Sequence, residues 1–147
     1  MTKMMRPKLV LSMLVFACGF CLGNVLQPWS AVHAQPTMRV FEIRTYTAAE
    51  GKLDALHARF RDHTLALFKK HGMTSVGYFK PQDAPLEQNT LVYILAHPSR
   101  EAAAKNWHAF QTDPGWQKVK GASETLGALT TKIESVFADP TDYSPMK

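Results

Sequence analysis

Along residues 38–47, MRVFEIRTYT, the side chains alternate between two sets. Phe41, Ile43 and Thr45 form one set, and Val40, Glu42, Arg44 and Tyr46 form the other. A period of two predicts a strand with two distinct faces. Thr47-Ala48-Ala49-Glu50 has the form of a capping box and predicts a helix start near Thr47, which Gly51 in the first turn weakens. From there Leu53, Leu56, Phe60 and Leu67 recur at spacings of 3, 4 and 7 on one helical stripe, and Gly72 supplies a left-handed exit. Residues 73–81, MTSVGYFKP, predict a second strand ended by Pro81, followed by a polar loop. Thr90 to Ala96, TLVYILA, is the most apolar stretch after residue 34 and predicts a central, buried strand.

Pro98-Ser99 ends that strand and offers Ser99 as the N-cap of a helix over residues 100–111, with Ala103, Trp107 and Phe110 inward. Asp113-Pro114 is a second cap followed by a proline at the first helical position, opening a short helix that carries Trp116 and Val119. TTKIESVF, residues 130–137, predicts the last strand, and Asp139 to Lys147 is a polar tail. The order β-α-β-β-α-β is the ferredoxin-like arrangement of an α+β fold with an antiparallel sheet. Helices on one side leave the other sheet face bare. The expectation is that this bare face carries Val40 and Tyr46 and is covered by a second copy, making a homodimer.

The first 34 residues read as a targeting segment. Lys3, Arg6 and Lys8 precede an uncharged, mostly apolar run from Leu9 to Leu26, and Val32-His33-Ala34 suits a signal peptidase site. Residues 1–34 are then a signal peptide, and a domain over residues 35–147 is exported to the periplasm or secreted. Two alternatives stay open. The apolar run is about 18 residues, enough for an uncleaved anchor, and Cys18 could carry a lipid, although Phe16 is bulky for that motif. All three readings export the domain. Cys18 and Cys21 have C-x-x-C spacing but lie inside the hydrophobic segment and leave with it, so the mature domain has no thiol chemistry.

Removing Lys3, Arg6 and Lys8, with no acid to offset them, lowers the formal charge from +5 to +2. No basic run or basic patch interleaved with aromatics appears, so nucleic acid is not an expected partner, nor is a membrane once the leader is cut. No G-x-S-x-G elbow and no Gly-rich phosphate loop occurs. His57, His63 and His71 are spaced by 6 and 8, and no pair has the spacing that brings two imidazoles to one ion, so no metal is expected. No cofactor is expected either, although non-covalent haem on a single axial His stays open.

Phe41-Glu42-Ile43-Arg44-Thr45-Tyr46, Arg59-Phe60-Arg61-Asp62-His63-Thr64 and Lys70-His71-Gly72-Met73 together resemble NIPSNAP-domain proteins. So do Val76-Gly77-Tyr78-Phe79, Leu91-Val92-Tyr93, and Trp107-His108-Ala109-Phe110 with Asp113-Pro114-Gly115-Trp116, over about residues 38–137 in all. The resemblance implies a dimeric α+β barrel in which two ferredoxin-like subunits join sheets. Related barrel families include cofactor-free monooxygenases, haem enzymes and small-molecule isomerases. NIPSNAP proteins have no settled chemistry, so the resemblance implies a fold more than a reaction. It also leads to an expectation of Trp or another aromatic near Gly77, where this chain has Tyr78.

The candidate pocket residues are His63, Arg44, Tyr46, Tyr78, Tyr93 and Trp107; a catalytic residue is not identified. On a helical wheel of about 100° per residue, His63 and Thr64 flank the apolar stripe on opposite sides. His63 is then either a boundary histidine bonded to a carbonyl or strand side chain, or an acid, base or ligand anchor. His71 at the helix C-terminus has a sufficient structural role. Arg44 with Tyr46 is either part of a Glu42–Arg44 polar layer or a site for an anion or carbonyl. Trp107, Phe110 and Trp116 suit a core better than a ligand platform. Two functions remain: a barrel that binds, and in some cases transforms, a small, largely apolar molecule, or a non-catalytic protein-interaction domain.

Overall fold

The computed structural model describes residues 39–147. The leader, its cleavage site and the Cys18–Cys21 pair lie outside these residues. The sheet has the order β2-β3-β1-β4, formed by β1 (Val40–Ala48), β2 (Thr74–Phe79), β3 (Thr90–His97) and β4 (Thr130–Ala138). Every pairing is antiparallel. A helical segment joins β1 to β2: α1 (Leu53–Arg59), a π-helical turn (Phe60–Thr64) and α2 (Leu65–Lys70). Two more helices, α3 (Arg100–Thr112) and α4 (Pro114–Ser123), lie between β3 and β4. This is the ferredoxin-like α+β fold, with β3 central as its apolar sequence requires.

The local signals hold at α3 and α4. The Ser99 hydroxyl accepts from Ala102 N–H at 3.1 Å, and Asp113 Oδ1 accepts from Gly115 N–H at 2.7 Å and from Trp116 N–H at 3.3 Å. Asp113 also ties α2 to α4, since Oδ2 accepts from Lys70 Nζ at 2.6 Å and lies 2.8 Å from His71 Nε2. Lys70 and then His71 hold this carboxyl well below the usual carboxylate range. His71 thus has a specific partner, beyond the helix-end role expected of it. At Gly72, φ of 72° makes the left-handed exit.

The capping box at Thr47 does not form. Thr47 pairs with Thr90 on one side and Lys132 on the other, and the strand runs on to Ala48. Gly51, with φ of 66°, then turns the chain, and α1 starts after Lys52 without a side-chain cap. Two flanking strands satisfy the Thr47 backbone, and this overrides the local helix signal.

The two faces of the sheet are the reverse of the sequence expectation. Arg44 lies opposite Tyr93 and Ser135, and Tyr46 opposite Leu91 and Ile133, so the Glu42–Arg44–Tyr46 set faces the helices. Tyr46 joins Leu56, Phe60, Phe68, Tyr93 and Phe110 in the core. The bare face instead carries Ile43, opposite Ile94 and Val136. Ile43, Phe79 and Val136 are exposed there.

A candidate ligand cavity between sheet and helices

The helix-facing side of β1 brings a carboxylate into the protein interior. Glu42 is 1% exposed, and an isolated charge at that depth is strongly unfavourable. Four donors compensate it. Oε1 accepts from Arg44 Nη1 at 2.5 Å and from Ser135 Oγ at 2.7 Å. Oε2 accepts from Trp107 Nε1 at 2.7 Å and from the His97 Nε2–H at 3.0 Å. Burial alone would raise the pKa of Glu42, but the bonds from His97, Trp107, Ser135 and Arg44 outweigh it and hold the pKa at about 2. A carboxylate offers about four lone-pair sites, and all four are taken, so Glu42 is a fixed anion rather than a proton carrier.

Arg44 and Tyr46 project from β1 into a cavity of 510 Å³ between the sheet and the helices. The Arg44 guanidinium carbon sits 4.2 Å from the centre of the Trp107 ring and 5.6 Å from that of Tyr46. Phe60 and Phe68 form one wall, Trp107 and Phe110 another, and Trp116 with Lys120 closes the α4 side. Trp116 packs on Phe110 with ring centres 4.4 Å apart. Arg59 enters from the end of α1, buried, and donates Nη1–H to Glu124 Oε1 at 2.7 Å. The Nε atoms of both arginines are buried without a partner among the described residues.

Beneath the cavity, Tyr93 is fully buried and donates its hydroxyl to Tyr46 Oη at 2.9 Å. Burial pushes the Tyr93 phenol well above its ordinary pKa, which keeps it a donor. Because Tyr46 accepts that proton, its own O–H is available to donate elsewhere.

Of the six candidates from sequence, Arg44, Tyr46 and Trp107 therefore line one cavity, and Tyr93 supports it from below. Tyr78 does not line it. It stacks on Tyr93 at 5.5 Å and lies against Ser75 Oγ at 2.6 Å, beside a separate hollow of 450 Å³ at Leu65 and Met73. His63 is exposed and faces a groove between α1 and α4. It makes no side-chain hydrogen bond among the described residues, neither to a carbonyl nor to a strand.

The π turn explains this placement of His63. The Leu65 N–H reaches back to Phe60 O, and Thr64 Oγ1 donates to Arg59 O at 3.1 Å. One extra residue in the turn rotates the rest of the helical segment by about 100°. Thr64 and Phe68 consequently take the buried stripe, and His63 swings out.

Arg59, Glu42, Trp116 and Ser135 were not among the candidates. Arg59 was legible as a charged residue three positions after Leu56, on the edge of the apolar stripe. Trp116 read as core, and its ring does both, packing on Phe110 while facing the cavity. A larger hollow of 730 Å³, between the β1–α1 turn and the β2–β3 loop, contains none of the candidates. No three His, Cys, Asp or Glu side chains among the described residues converge as metal ligands.

The family model described as NIPSNAP matches residues 41–145. A NIPSNAP family protein of unknown function from Agrobacterium tumefaciens is similar in structure, with a TM-score of 0.66, 26% identity, and coverage of 76% of this chain and 96% of that one. A NIPSNAP-like domain protein from Burkholderia xenovorans has a TM-score of 0.65 at 19% identity, covering 74% and 90%. The fold also extends to a monooxygenase from Streptomyces coelicolor, solved in complex with the ligand Nanaomycin D. Its TM-score is 0.53 at 17% identity, over 76% of this chain and 96% of that one. Among curated proteins, none matches this sequence. With the fold and a family match spanning most of the chain in agreement, this protein belongs to the NIPSNAP family.

Proposed function

We propose that the protein binds a small, largely apolar molecule in the cavity above Arg44 and Tyr46, and does so as an exported homodimer. The observation that carries this reading is the make-up of the cavity. Its 510 Å³ lies within the range of small-molecule sites, and aromatic walls surround a few polar groups, each fixed by a partner beneath it. A buried salt bridge and a buried tyrosine pair are costly ways to fill a core, and here both present donors to an open space. The Streptomyces monooxygenase, whose fold is similar, is seen with a ligand bound, which supports a ligand role for this architecture. Export rests on the tripartite leader. An intact mass beginning at Gln35 is the expected outcome.

The homodimer rests on the bare sheet face. Ile43, Val92, Ile94, Val136 and Phe79 lie on its strands, and a second copy of the same face would cover them. That face is also the observation that favours the interaction-domain reading, in which another exported protein takes the place of the second copy.

Tryptophan fluorescence tests the cavity. Trp107 and Trp116 line it, and the third tryptophan of the sequence, Trp29, falls in the leader. Titration with a series of fused-ring aromatics is expected to change the emission saturably, and Trp107→Phe with Trp116→Phe is expected to remove most of the change. If no member of the series binds and native mass spectrometry finds nothing co-purified, the ligand reading fails.

A further inference from the structure

We infer that the ligand is a planar anion, a carboxylate, phenolate or enolate on a ring system, with its charged oxygen at Arg44 and Tyr46 and its rings against Trp107, Phe110 and Trp116. This rests on the cavity being a ligand site and specifies which chemical class it takes.

Four observations converge on that class. First, the Glu42–Arg44 pair is oriented: the carboxylate lies beneath, and the guanidinium lines the cavity. Second, Glu42 is saturated by Arg44, Ser135, Trp107 and His97. It has no lone pair left for a ligand cation, and it locks Arg44 and the Trp107 ring in place. Third, among the described residues the cations lining the cavity are Arg44, Arg59 and Lys120, against one acid, Glu124, which already accepts from Arg59. Among the described residues, Arg44 Nε and Arg59 Nε both retain an unused N–H, and the Arg59 side chain is only 5% exposed. Fourth, Tyr93 sets the polarity of Tyr46, whose O–H is left to donate. A guanidinium and a phenol, both pre-positioned, are what an oxyanion on a flat molecule requires. Neither donor has a use for a ligand cation. A cavity of 510 Å³ suits about two to three fused rings.

Glu42 is a positioning residue in this scheme. It acts on the ligand only through Arg44 and Trp107.

The test compares three near-isosteric ligands on the purified full-length protein by calorimetry: 1-naphthoate, 1-naphthamide and 1-naphthylmethylammonium. Naphthoate is expected to bind about tenfold or more tightly than the amide, the margin of a charge-assisted hydrogen bond, and the ammonium more weakly than both. Arg44→Gln is expected to bring the acid-to-amide ratio close to one, and Tyr46→Phe to reduce it. Ser135→Ala removes one of the four bonds to Glu42 without removing a charge. It is expected to lower the ratio while unfolding remains cooperative, which a purely structural Glu42 would not produce. If acid and amide bind equally, or the ammonium binds best, the anion inference is overturned and the cavity reading stands. If none of the three binds, the anion inference falls, and the cavity reading falls with it only where the wider aromatic series and native mass spectrometry are also blank.

Discussion

Glu42 shows how a single residue links stability to the site. Its folded pKa of about 2 lies below the ordinary 4.5. The unfolded chain therefore binds the proton more readily, and the group stabilises the fold above about pH 4.5. That contribution drains away as the pH falls from 4.5 towards 2. Glu42→Gln leaves Arg44 buried without its counter-charge and should cost about 3–5 kcal/mol at pH 7. It should also flatten the acid limb, so that the variant loses less stability than the parent between pH 5 and pH 2. Urea unfolding at a series of pH values checks both, and an acid limb of unchanged slope would remove Glu42 from this account. The alternation of β1 already grouped Glu42, Arg44 and Tyr46 on one face. It could not show which face met the helices, because Val40 and Tyr46 on one side and Phe41 and Ile43 on the other are equally able to fill a core. That choice is made by the aromatic cluster of Phe60, Phe68 and Tyr93, which takes in the Tyr46 ring, and such a cluster exists only once distant elements have met.

Of the three helix starts read from local caps, two hold and the third, at Thr47, is taken into β1. Ser99 and Asp113 sit where their helices begin, because each cap needs only the next three residues. The segment from Leu53 to Lys70 was legible as helix but not in its phase. A uniform wheel places His63 beside the buried stripe, whereas the π turn at Phe60–Thr64 buries Thr64 and Phe68. Such turns recur at functional sites, and this one sets Arg59, Phe60 and Thr64 along the cavity. Deleting the exposed His63 should let the turn relax to ordinary α-helix while Leu56, Phe60 and Phe68 keep their common stripe. The expected outcome is a cooperatively folded protein, at least as stable as the parent in urea, with weakened naphthoate binding because Arg59 and Thr64 no longer hold their places. A deletion variant that fails to fold would mean that the segment cannot relax to ordinary α-helix, and one that binds as the parent does would mean that the turn has no part in shaping the cavity.

At the scale of the whole molecule, the existence of a bare face came from four strands and helices on one side. The identity of that face was inverted, because only the assembled aromatic cluster selects which side of β1 turns inward. The correction sharpens the expectation for assembly. Ile43, Phe79 and Val136 are 37%, 53% and 61% exposed, and Ile43 lies directly between Ile94 and Val136 in the register. Branched aliphatic residues in adjacent strands make an apolar patch beside the exposed Lys132–Glu134 pair, and a sheet-on-sheet interface of standard size buries about 1,600 Å² in total. Val136→Asp places a charge on that surface beside Ile43, on the edge strand β4, and leaves the cavity on the opposite face untouched. In a homodimer closed through this face, the substitution should shift sedimentation from dimer to monomer at micromolar concentration, with naphthoate affinity retained by whatever folded monomer remains. In a protein that is already monomeric, an exposed valine changed to aspartate should alter stability by no more than about 0.5 kcal/mol and leave sedimentation unchanged. A parent that sediments as a monomer would remove the second copy from the bare face and leave that surface to a different protein.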